Sequence, residues 1–335
     1  MVLSQTSPSP AFSNARRRPL LRWLLFCFVF CCTGIGFWVY ASLTEMRTGR
    51  RLWPWSAYAF CGRTTPAALP ATVRVGLYEE FPDPWRLAKL QQLTFPVTLA
   101  IAASSRTEFL QLRTTILTTY PQVREVYFWP ILSAEEGYYP GAWSSPEGIR
   151  RLTTETTELP LLWDLEVPRG TQRLRDLSLH HWWTNRTTLA SFFAHHEQPI
   201  HLWRTYASMG LNPAFLRLTA LHFDPLDYPA LHLHLDLYTT GTGQDAAELA
   251  RLARCGVERY GARFIPSLGV LNDGEGPEEI FVPPATLERN LRIVRAAGVS
   301  EIWFFGVNGL NPTYLEAIQA TLPLESLPSP EAQHP

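Results

Sequence analysis

The sequence has no excess of charge of either sign and no glycine-rich phosphate loop. Its 29 lysine and arginine residues nearly balance 30 aspartate and glutamate residues, for a formal net charge of −1. Nucleic-acid-binding domains usually carry a basic surface, so we expect no nucleic-acid partner. The first predicted strand leads into Gly76-Leu77-Tyr78-Glu79-Glu80 and not into a Gly-x-Gly-x-x-Gly loop. This argues against a dinucleotide-binding fold, and we expect no cofactor.

Cysteine is also scarce, with five residues in the chain. Cys27, Cys31 and Cys32 lie inside an apolar run near the N-terminus, which leaves only Cys61 and Cys255 outside it. These two could form one disulfide in an oxidising compartment or remain unpaired thiols, and the sequence leaves both possibilities open.

The N-terminal 70 residues do not look like part of a globular fold. Residues 1–22 are polar, proline-bearing and end in an arginine cluster, which predicts a disordered cytoplasmic tail. Residues 23–43 form an uncharged apolar run long enough to cross a bilayer. The run is long for a signal peptide and lacks an Ala-x-Ala site, so we expect an uncleaved transmembrane anchor. Residues 44–70 then form a juxtamembrane linker, and the main domain is expected outside the cytoplasm.

From residue 71 to 322 the chain alternates between strand and helix patterns, and a proline-bearing tail follows over 323–335. Eight strands, each followed by a helix, predict a (β/α)8 TIM barrel, with an open doubly wound sheet as the alternative. The strands are expected over 72–81, 96–103, 123–132, 160–168, 200–206, 231–239, 263–271 and 301–307. The helices are expected over 83–93, 106–120, 145–157, 173–197, 212–221, 244–260, 284–297 and 311–321.

The fourth predicted strand is apolar but ends in two acids. Because alternate residues of a strand share a face, Asp164 and Glu166 should point the same way as Leu162, while Trp163 points the other way. Burying two carboxylates is costly unless they have partners or a function. One interpretation is a paired-carboxylate active site, with Glu166 as general acid and Asp164 beside it. The other is a core acid or a helix cap.

The sixth strand has a leucine face and a polar face. His232, His234, Asp236 and Tyr238 alternate with leucines, so the polar set should line the barrel interior. Asp236 and Tyr238 are candidates for catalysis near its end. His232 and His234 could instead be a metal pair, but no histidine follows at another strand end, and we expect no metal site.

Active sites of such barrels lie at the C-terminal ends of the strands, so the other strand-end residues are candidate ligand contacts. These candidates are Glu79, Trp129, Arg204, Asn272 and Asn308. Glu79 could instead cap a helix, Arg204 could neutralise a core acid, and Trp129 could pack in a surface loop. Acids, aromatic rings and amides are the side chains that a carbohydrate site uses.

Asp164-Leu165-Glu166 on strand four, with Tyr238 on strand six and Trp303 on strand eight, resembles the chitinase-like family 18 glycoside hydrolases. The resemblance implies that Glu166 is the general acid, that Asp164 assists an N-acetyl group of the substrate, and that Tyr238 contacts that group. It also adds Trp303 to the substrate contacts. The chain departs from the family pattern because Leu159 and Leu162 occupy the positions of two earlier acids, and because Asp236 precedes Tyr238.

The first hypothesis is therefore a membrane-anchored glycoside hydrolase that cleaves an extracytoplasmic glycan or polysaccharide. The alternatives are a non-catalytic barrel that binds glycan or helps to assemble an envelope structure, and a metal-dependent hydrolase that uses His232 and His234.

Overall fold

The computed structural model describes residues 69–165, 179–204, 223–240, 245–272 and 281–327. Outside this part of the chain lie the predicted cytoplasmic tail over 1–22, the anchor over 23–43 and all but the last two residues of the linker over 44–70. The end of the C-terminal tail, from residue 328 onward, lies outside it as well. The helix predicted over 212–221 lies outside it as well. Within the described ranges, no helix has the length and hydropathy that crossing a bilayer requires.

Eight parallel strands close into a barrel in the order β1 to β8, with β8 paired back to β1. The prediction of a (β/α)8 barrel is therefore confirmed and the open sheet is excluded. The strands are β1 (Arg74–Glu79), β2 (Val97–Ala103), β3 (Val123–Pro130), β4 (Leu161–Asp164), β5 (Ile200–Arg204), β6 (Leu231–Asp236), β7 (Phe264–Val270) and β8 (Glu301–Phe305).

The helices surround the barrel, close to the predicted ranges. Those described are α1 (Pro84–Leu87), α2 (Arg106–Thr119), α3 (Pro146–Glu155), α4 (Leu179–His195), α5 (Ala246–Tyr260), α6 (Pro284–Ala296) and α7 (Pro312–Thr321). One prediction needs correction, because the helix expected over 83–93 is the single turn of α1 followed by a 3-10 helix over Ala88–Gln92.

Several helices begin at a side-chain cap that the sequence places there. Ser105, Ser145 and Asp245 each accept a hydrogen bond from the backbone N–H three residues later, and Asn311 accepts from Thr313 and Tyr314. Each cap satisfies an N–H group that the helix itself leaves without a partner. The caps fix where each helix turns back from the rim of the barrel.

The core has two chemically different layers. The layer between strands and helices is largely aliphatic and includes Leu161, Trp163 and Leu165 from β4 and its end. The barrel interior is aromatic, and β4 contributes Leu162 to it. The alternation predicted for the fourth strand is therefore confirmed as far as the described residues reach.

One close approach inside the barrel requires a glycine. A Cβ atom at Gly76 on β1 would lie 2.0 Å from the indole of Trp303 on β8. Because that contact is with the buried ring itself, any side chain at position 76 would displace Trp303.

Cys255 in α5 is buried and disulfide-bonded. The chain's other four cysteines all lie outside the described residues. A disulfide at Cys255 agrees with the first of the two possibilities left open by the sequence.

Candidate functional site

Tyr78 of β1 lies at the centre of the barrel interior, below the C-terminal ends of the strands. Its side chain is fully buried, and its hydroxyl forms a hydrogen bond with Nε2 of His234. Its ring stacks on the indole of Trp203 with centroids 4.6 Å apart and planes 11° apart. Trp129 meets the same ring edge-on at 6.4 Å. Three strands thus contribute to one aromatic cluster.

Two carboxylates face this cluster, one from β4 and one from β6. Burial raises the pKa of the Tyr78 hydroxyl well above its ordinary value, and the negative charges of Asp236 and Asp164 raise it further. Asp164 is only 1% exposed and Asp236 only 5%. The strand ends therefore bring together two of the acids that the sequence singled out.

Asp236 is held by its neighbour on β5, since the indole N–H of Trp203 donates to Oδ1 of Asp236 at 2.7 Å. Tyr238, two residues after Asp236, has its hydroxyl 3.3 Å from that of Ser267 on β7. Tyr238 also contributes, after burial, to the raised pKa of Tyr78. Asp236 and Tyr238 therefore belong to the same polar cluster as Asp164.

The loop after β3 closes over the same region. Tyr138 adopts a positive φ of 62°, which is uncommon for a residue with a bulky side chain, and its hydroxyl donates to Oε1 of Glu80 at 2.5 Å. The pKa of Tyr138 is raised first by burial, then by Glu80, with a smaller contribution from Asp164. Tyr138 thus brings the loop after β3 close to Asp164 of β4 and to Glu80, which follows β1.

Two predicted site residues cannot be placed. Glu166, the candidate general acid, lies outside the described residues, and so does the side chain of Arg204. The described part of β4 ends at Asp164, and that of β5 ends at the backbone of Arg204.

Glu79 does not face the barrel interior, which corrects its expected position among the ligand contacts. It follows Val75 and Leu77, which pack in the layer between strands and helices. Its Oε1 accepts the backbone N–H of Phe81 at 3.0 Å and lies 3.7 Å from the guanidinium of Arg86. Burial raises the pKa of Glu79 to about 7 against the opposing effect of these partners. The neighbouring Glu80 is the acid that meets Tyr138.

Trp303 lies too deep to line the rim. It is fully buried, and its indole N–H donates to Oε1 of Glu301 at 2.7 Å, at the N-terminal end of β8. Trp303 was expected to contact a ligand at the strand ends, but the structure places it below them. Phe305 is the aromatic residue of β8 nearest the rim. It is partly exposed and lies 6.1 Å from the ring of Tyr78.

The remaining predicted contacts lie in different surroundings. Trp129 is in the interior, 5.3 Å from the indole of Trp203, and its buried N–H has no acceptor among the described residues. Asn272 is exposed at the end of β7, where its backbone N–H lies 3.3 Å from the hydroxyl of Tyr314. Asn308 is 6% exposed in the 3-10 helix Val307–Gly309, and a hydrogen bond from its backbone N–H lowers the pKa of Glu79, against the larger effect of burial. Trp129 is the one that joins the aromatic cluster.

Three histidines fill the lower interior. The ring of His201 on β5 lies 5.3 Å from that of His232 and 5.6 Å from that of His234. Burial lowers the pKa of all three, that of His232 to about 4. Among the described residues, no three His, Cys, Asp or Glu side chains are arranged so that they could hold a metal ion. The inward direction predicted for the polar face of strand six is confirmed.

Sequence reasoning missed Tyr78, His201 and Trp203. The signal for the last two was present, since Ile200-His201-Leu202-Trp203 alternates in the same way as the histidine strand that follows it. Tyr78 had no such local signal, because its importance comes from contacts with strands distant in sequence.

A separate groove of about 790 Å³ lies between the C-terminal parts of α3 and α4. Its lining includes Thr157, Thr188, Ser191, His195 and Gln198. These helix ends meet the opposite face of the barrel from the acids, so the groove is not part of the candidate site.

The fold and the site define a closed (β/α)8 barrel with acids and aromatic rings at the C-terminal ends of its strands. No family model matches the chain, and no curated protein matches it. The barrel is similar to the catalytic domain of β-amylase from Paenibacillus polymyxa at 9% identity and a TM-score of 0.42, over 74% of this chain and 95% of that one.

Two other solved structures show how widely such similarity extends. A glucosidase from Croceicoccus marinus has 9% identity and a TM-score of 0.43, over 77% of this chain and 68% of that one. The carboxyl transferase domain of pyruvate carboxylase from Rhizobium etli has 10% identity and a TM-score of 0.35, over 84% and 56%. Similarity at this level carries no argument about activity, and the barrel assignment depends on the strand order.

Proposed function

We propose that this protein is a membrane-anchored glycoside hydrolase that acts on an extracytoplasmic glycan. The observation that supports the proposal most strongly is the convergence of Asp164 and Asp236 with the rings of Tyr78, Trp129 and Trp203 at the C-terminal end of the barrel. Barrel enzymes place their chemistry at this end. Carboxylates supply proton transfer, and aromatic rings offer flat faces to the C–H side of a sugar ring.

In the proposed mechanism, Glu166 is the general acid and donates a proton to the glycosidic oxygen as the bond to the anomeric carbon breaks. A nearby negative charge favours the protonated form of such an acid, and in this proposal Asp164, two residues earlier in the chain, supplies it. Water then adds to the anomeric carbon and gives up its proton to Glu166.

The resemblance to family 18 suggests a substrate with an N-acetyl group. In that case Asp164 would accept a hydrogen bond from the amide N–H, and the hydroxyl of Tyr238 would donate to the amide oxygen. Asp236 would keep the indole of Trp203 in place through the hydrogen bond already described. Each role uses a donor or acceptor that these side chains possess.

The proposed location outside the cytoplasm has two sources of support. The uncharged run over 23–43 follows an arginine cluster, and Cys255 is disulfide-bonded, which is typical of an oxidising compartment.

A non-catalytic glycan-binding barrel is the second candidate, and one observation favours it. The interior below the acids is filled, since Tyr78 and Trp129 are at most 1% exposed and the carboxylate of Asp236 already accepts the indole N–H of Trp203.

A metal-dependent hydrolase would differ from both of these candidates, because chelation with EDTA would abolish its activity.

The test is a glycan panel screened with the purified full chain and with Glu166→Gln. We expect hydrolysis of at least one glycan by the wild type, and its loss in Glu166→Gln with binding retained. Glu316→Gln is the matched control, because Glu316 is exposed on α7. Hydrolysis at the full rate by Glu166→Gln would contradict the proposed acid, and glycan binding without hydrolysis by the wild type would favour the second candidate.

A further inference from the structure

Two large aromatic side chains are exposed together at the rim of the barrel. Phe81 is 55% exposed and Trp85 is 52% exposed. Both follow the C-terminal end of β1, in the loop and single turn that lead into α1. Single exposed apolar residues are normal, but a pair that shares one support is more informative.

The support is a guanidinium group that contacts both rings. The Cζ atom of Arg86 lies 4.7 Å from the ring centroid of Trp85 and 5.7 Å from that of Phe81. Arg86 is in turn held by Glu79 at 3.7 Å and Asp83 at 4.0 Å. Cation–π contact combined with ion pairing restricts the motion of both rings.

The backbone of the same loop is fixed as well. The N–H of Phe81 donates to the buried carboxylate of Glu79 at 3.0 Å, and the N–H of Asp83 donates to the carbonyl of Phe81 at 2.6 Å. The single turn of α1 packs against the 3-10 helix Val307–Gly309 that follows β8. This explains why Glu79 is buried on the helix side, since it anchors the arginine and the loop. The rings are therefore presented in a preorganised arrangement, which lowers the entropy lost on binding.

The charges around the rings select the kind of ligand. The positive charge of Arg86 is paired with Glu79 and Asp83. On the inner side of the loop, Glu80 accepts the hydroxyl of Tyr138. Among the described residues that contact the rings, the cation is Arg86, and it is already paired. An anionic ligand such as a phosphate, an acidic lipid or a nucleic acid would therefore meet carboxylates here. A neutral pyranose has an apolar C–H face for the rings and hydroxyl groups that can donate to the carboxylates.

We propose that Phe81 and Trp85 form an outer saccharide-binding platform at the rim, which stacks a neutral sugar unit of the glycan chain whose scissile bond enters the barrel. The platform rests on the proposed function, because it holds the same glycan at a distance from the acids. It adds residues that touch the ligand without taking part in bond cleavage.

The test measures binding of cellohexaose, chitohexaose and maltohexaose by calorimetry, with heparin as the anionic probe. It uses the full chain in a detergent without a sugar head group, in the Glu166→Gln background so that no ligand is consumed. We expect at least one neutral hexasaccharide to bind, and Trp85→Ala to raise its Kd about tenfold, as for loss of one aromatic stacking contact. Trp85→Phe should retain most of the affinity, and Phe81→Ala should weaken binding less than Trp85→Ala.

Trp183→Ala is the matched control, because Trp183 is 60% exposed on α4 and also lies beside an arginine. The inference is overturned if Trp85→Ala and Trp183→Ala bind equally well, if no neutral hexasaccharide binds, or if only heparin binds. Trp85-dependent binding without hydrolysis by the wild type would refute the proposed function and leave the platform standing. Hydrolysis by the wild type with Kd values that do not depend on Trp85 would support the proposed function and refute the platform.

Discussion

At the residue scale, the interior of this barrel is unusual because polar and aromatic side chains occupy positions that branched apolar residues usually fill. Tyr78 shows how such a group is accommodated. Its hydroxyl is buried, but it meets Nε2 of His234, which burial keeps neutral and therefore able to accept a hydrogen bond. The negative charges of Asp236 and Asp164 add to the effect of burial in raising the pKa of the same hydroxyl. The tyrosine thus connects the histidines below with the acids above.

Tyr78→Phe should therefore destabilise the fold, because it leaves the Nε2 atom of His234 buried without its partner. The expected cost is about 1–3 kcal/mol of unfolding free energy. Urea unfolding of the wild type and the variant measures it.

A double-mutant cycle with His234→Phe provides the control for Tyr78→Phe. Because the hydrogen bond needs both partners, the effects of the two substitutions should be less than additive. Strict additivity would mean that the hydrogen bond contributes nothing to stability.

At the element scale, the phase of each strand decides which residues reach the site. The alternation on β4 and β6 was predictable, because Trp163 on β4 and the leucines on β6 mark the helix side. The residues between them, which include Asp164, His234 and Asp236, are left for the interior. On β1 the same rule assigns Glu79 to the helix side and Tyr78 to the interior, although acid content alone had favoured Glu79. The depth of Trp303 was not predictable, because it depends on how far β8 is staggered against β1 and not on local sequence.

The contact between β1 and β8 leads to a prediction about Gly76. Gly76→Ala should lower the unfolding free energy by about 1–3 kcal/mol, because the new methyl group would overlap the indole of Trp303. Gly141→Ala is the matched control, since a Cβ atom there would meet nothing within 4 Å. Equal stability of the two variants in thermal unfolding would show that β8 can move away from β1 without cost.

At the scale of the whole molecule, the buried histidines couple stability to pH. The folded-state pKa of His232 is lowered by burial to about 4, and those of His201 and His234 are lowered well below the ordinary value near 6.5. At pH values between the lowered pKa values of the folded state and the ordinary value near 6.5, these histidines therefore bind more protons in the unfolded chain than in the folded one. The contribution of these histidines to folding stability is fully present above about pH 6.5 and is lost as the pH falls toward 4.

We expect His232→Gln to reduce this pH dependence by on the order of 1–3 kcal/mol between pH 6.5 and pH 4. Urea unfolding at a series of pH values measures it. His181→Gln is the control, because His181 is exposed on α4. An unchanged slope for His232→Gln would show that this histidine does not titrate differently in the folded and unfolded states.

The sequence was sufficient for the barrel because strand and helix patterns repeat eight times along it. It was also sufficient to place Asp164 and Asp236 at the ends of apolar strands, since charged residues there stand out locally. It was not sufficient for the stack of Tyr78 on Trp203 or for the support of Phe81 and Trp85 by Arg86, because these depend on side-chain packing that strand and helix patterns do not specify.

The central claim is that the carboxylates at the C-terminal ends of the strands carry out hydrolysis of a glycan. The most direct measurement is the hydrolysis rate of Asp164→Asn compared with Asp227→Asn, which changes an exposed aspartate before β6. We predict a loss of about 100-fold or more for Asp164→Asn, the size typical of general acid–base groups and their partners, and no loss for Asp227→Asn. Equal rates for the two variants would contradict the claim.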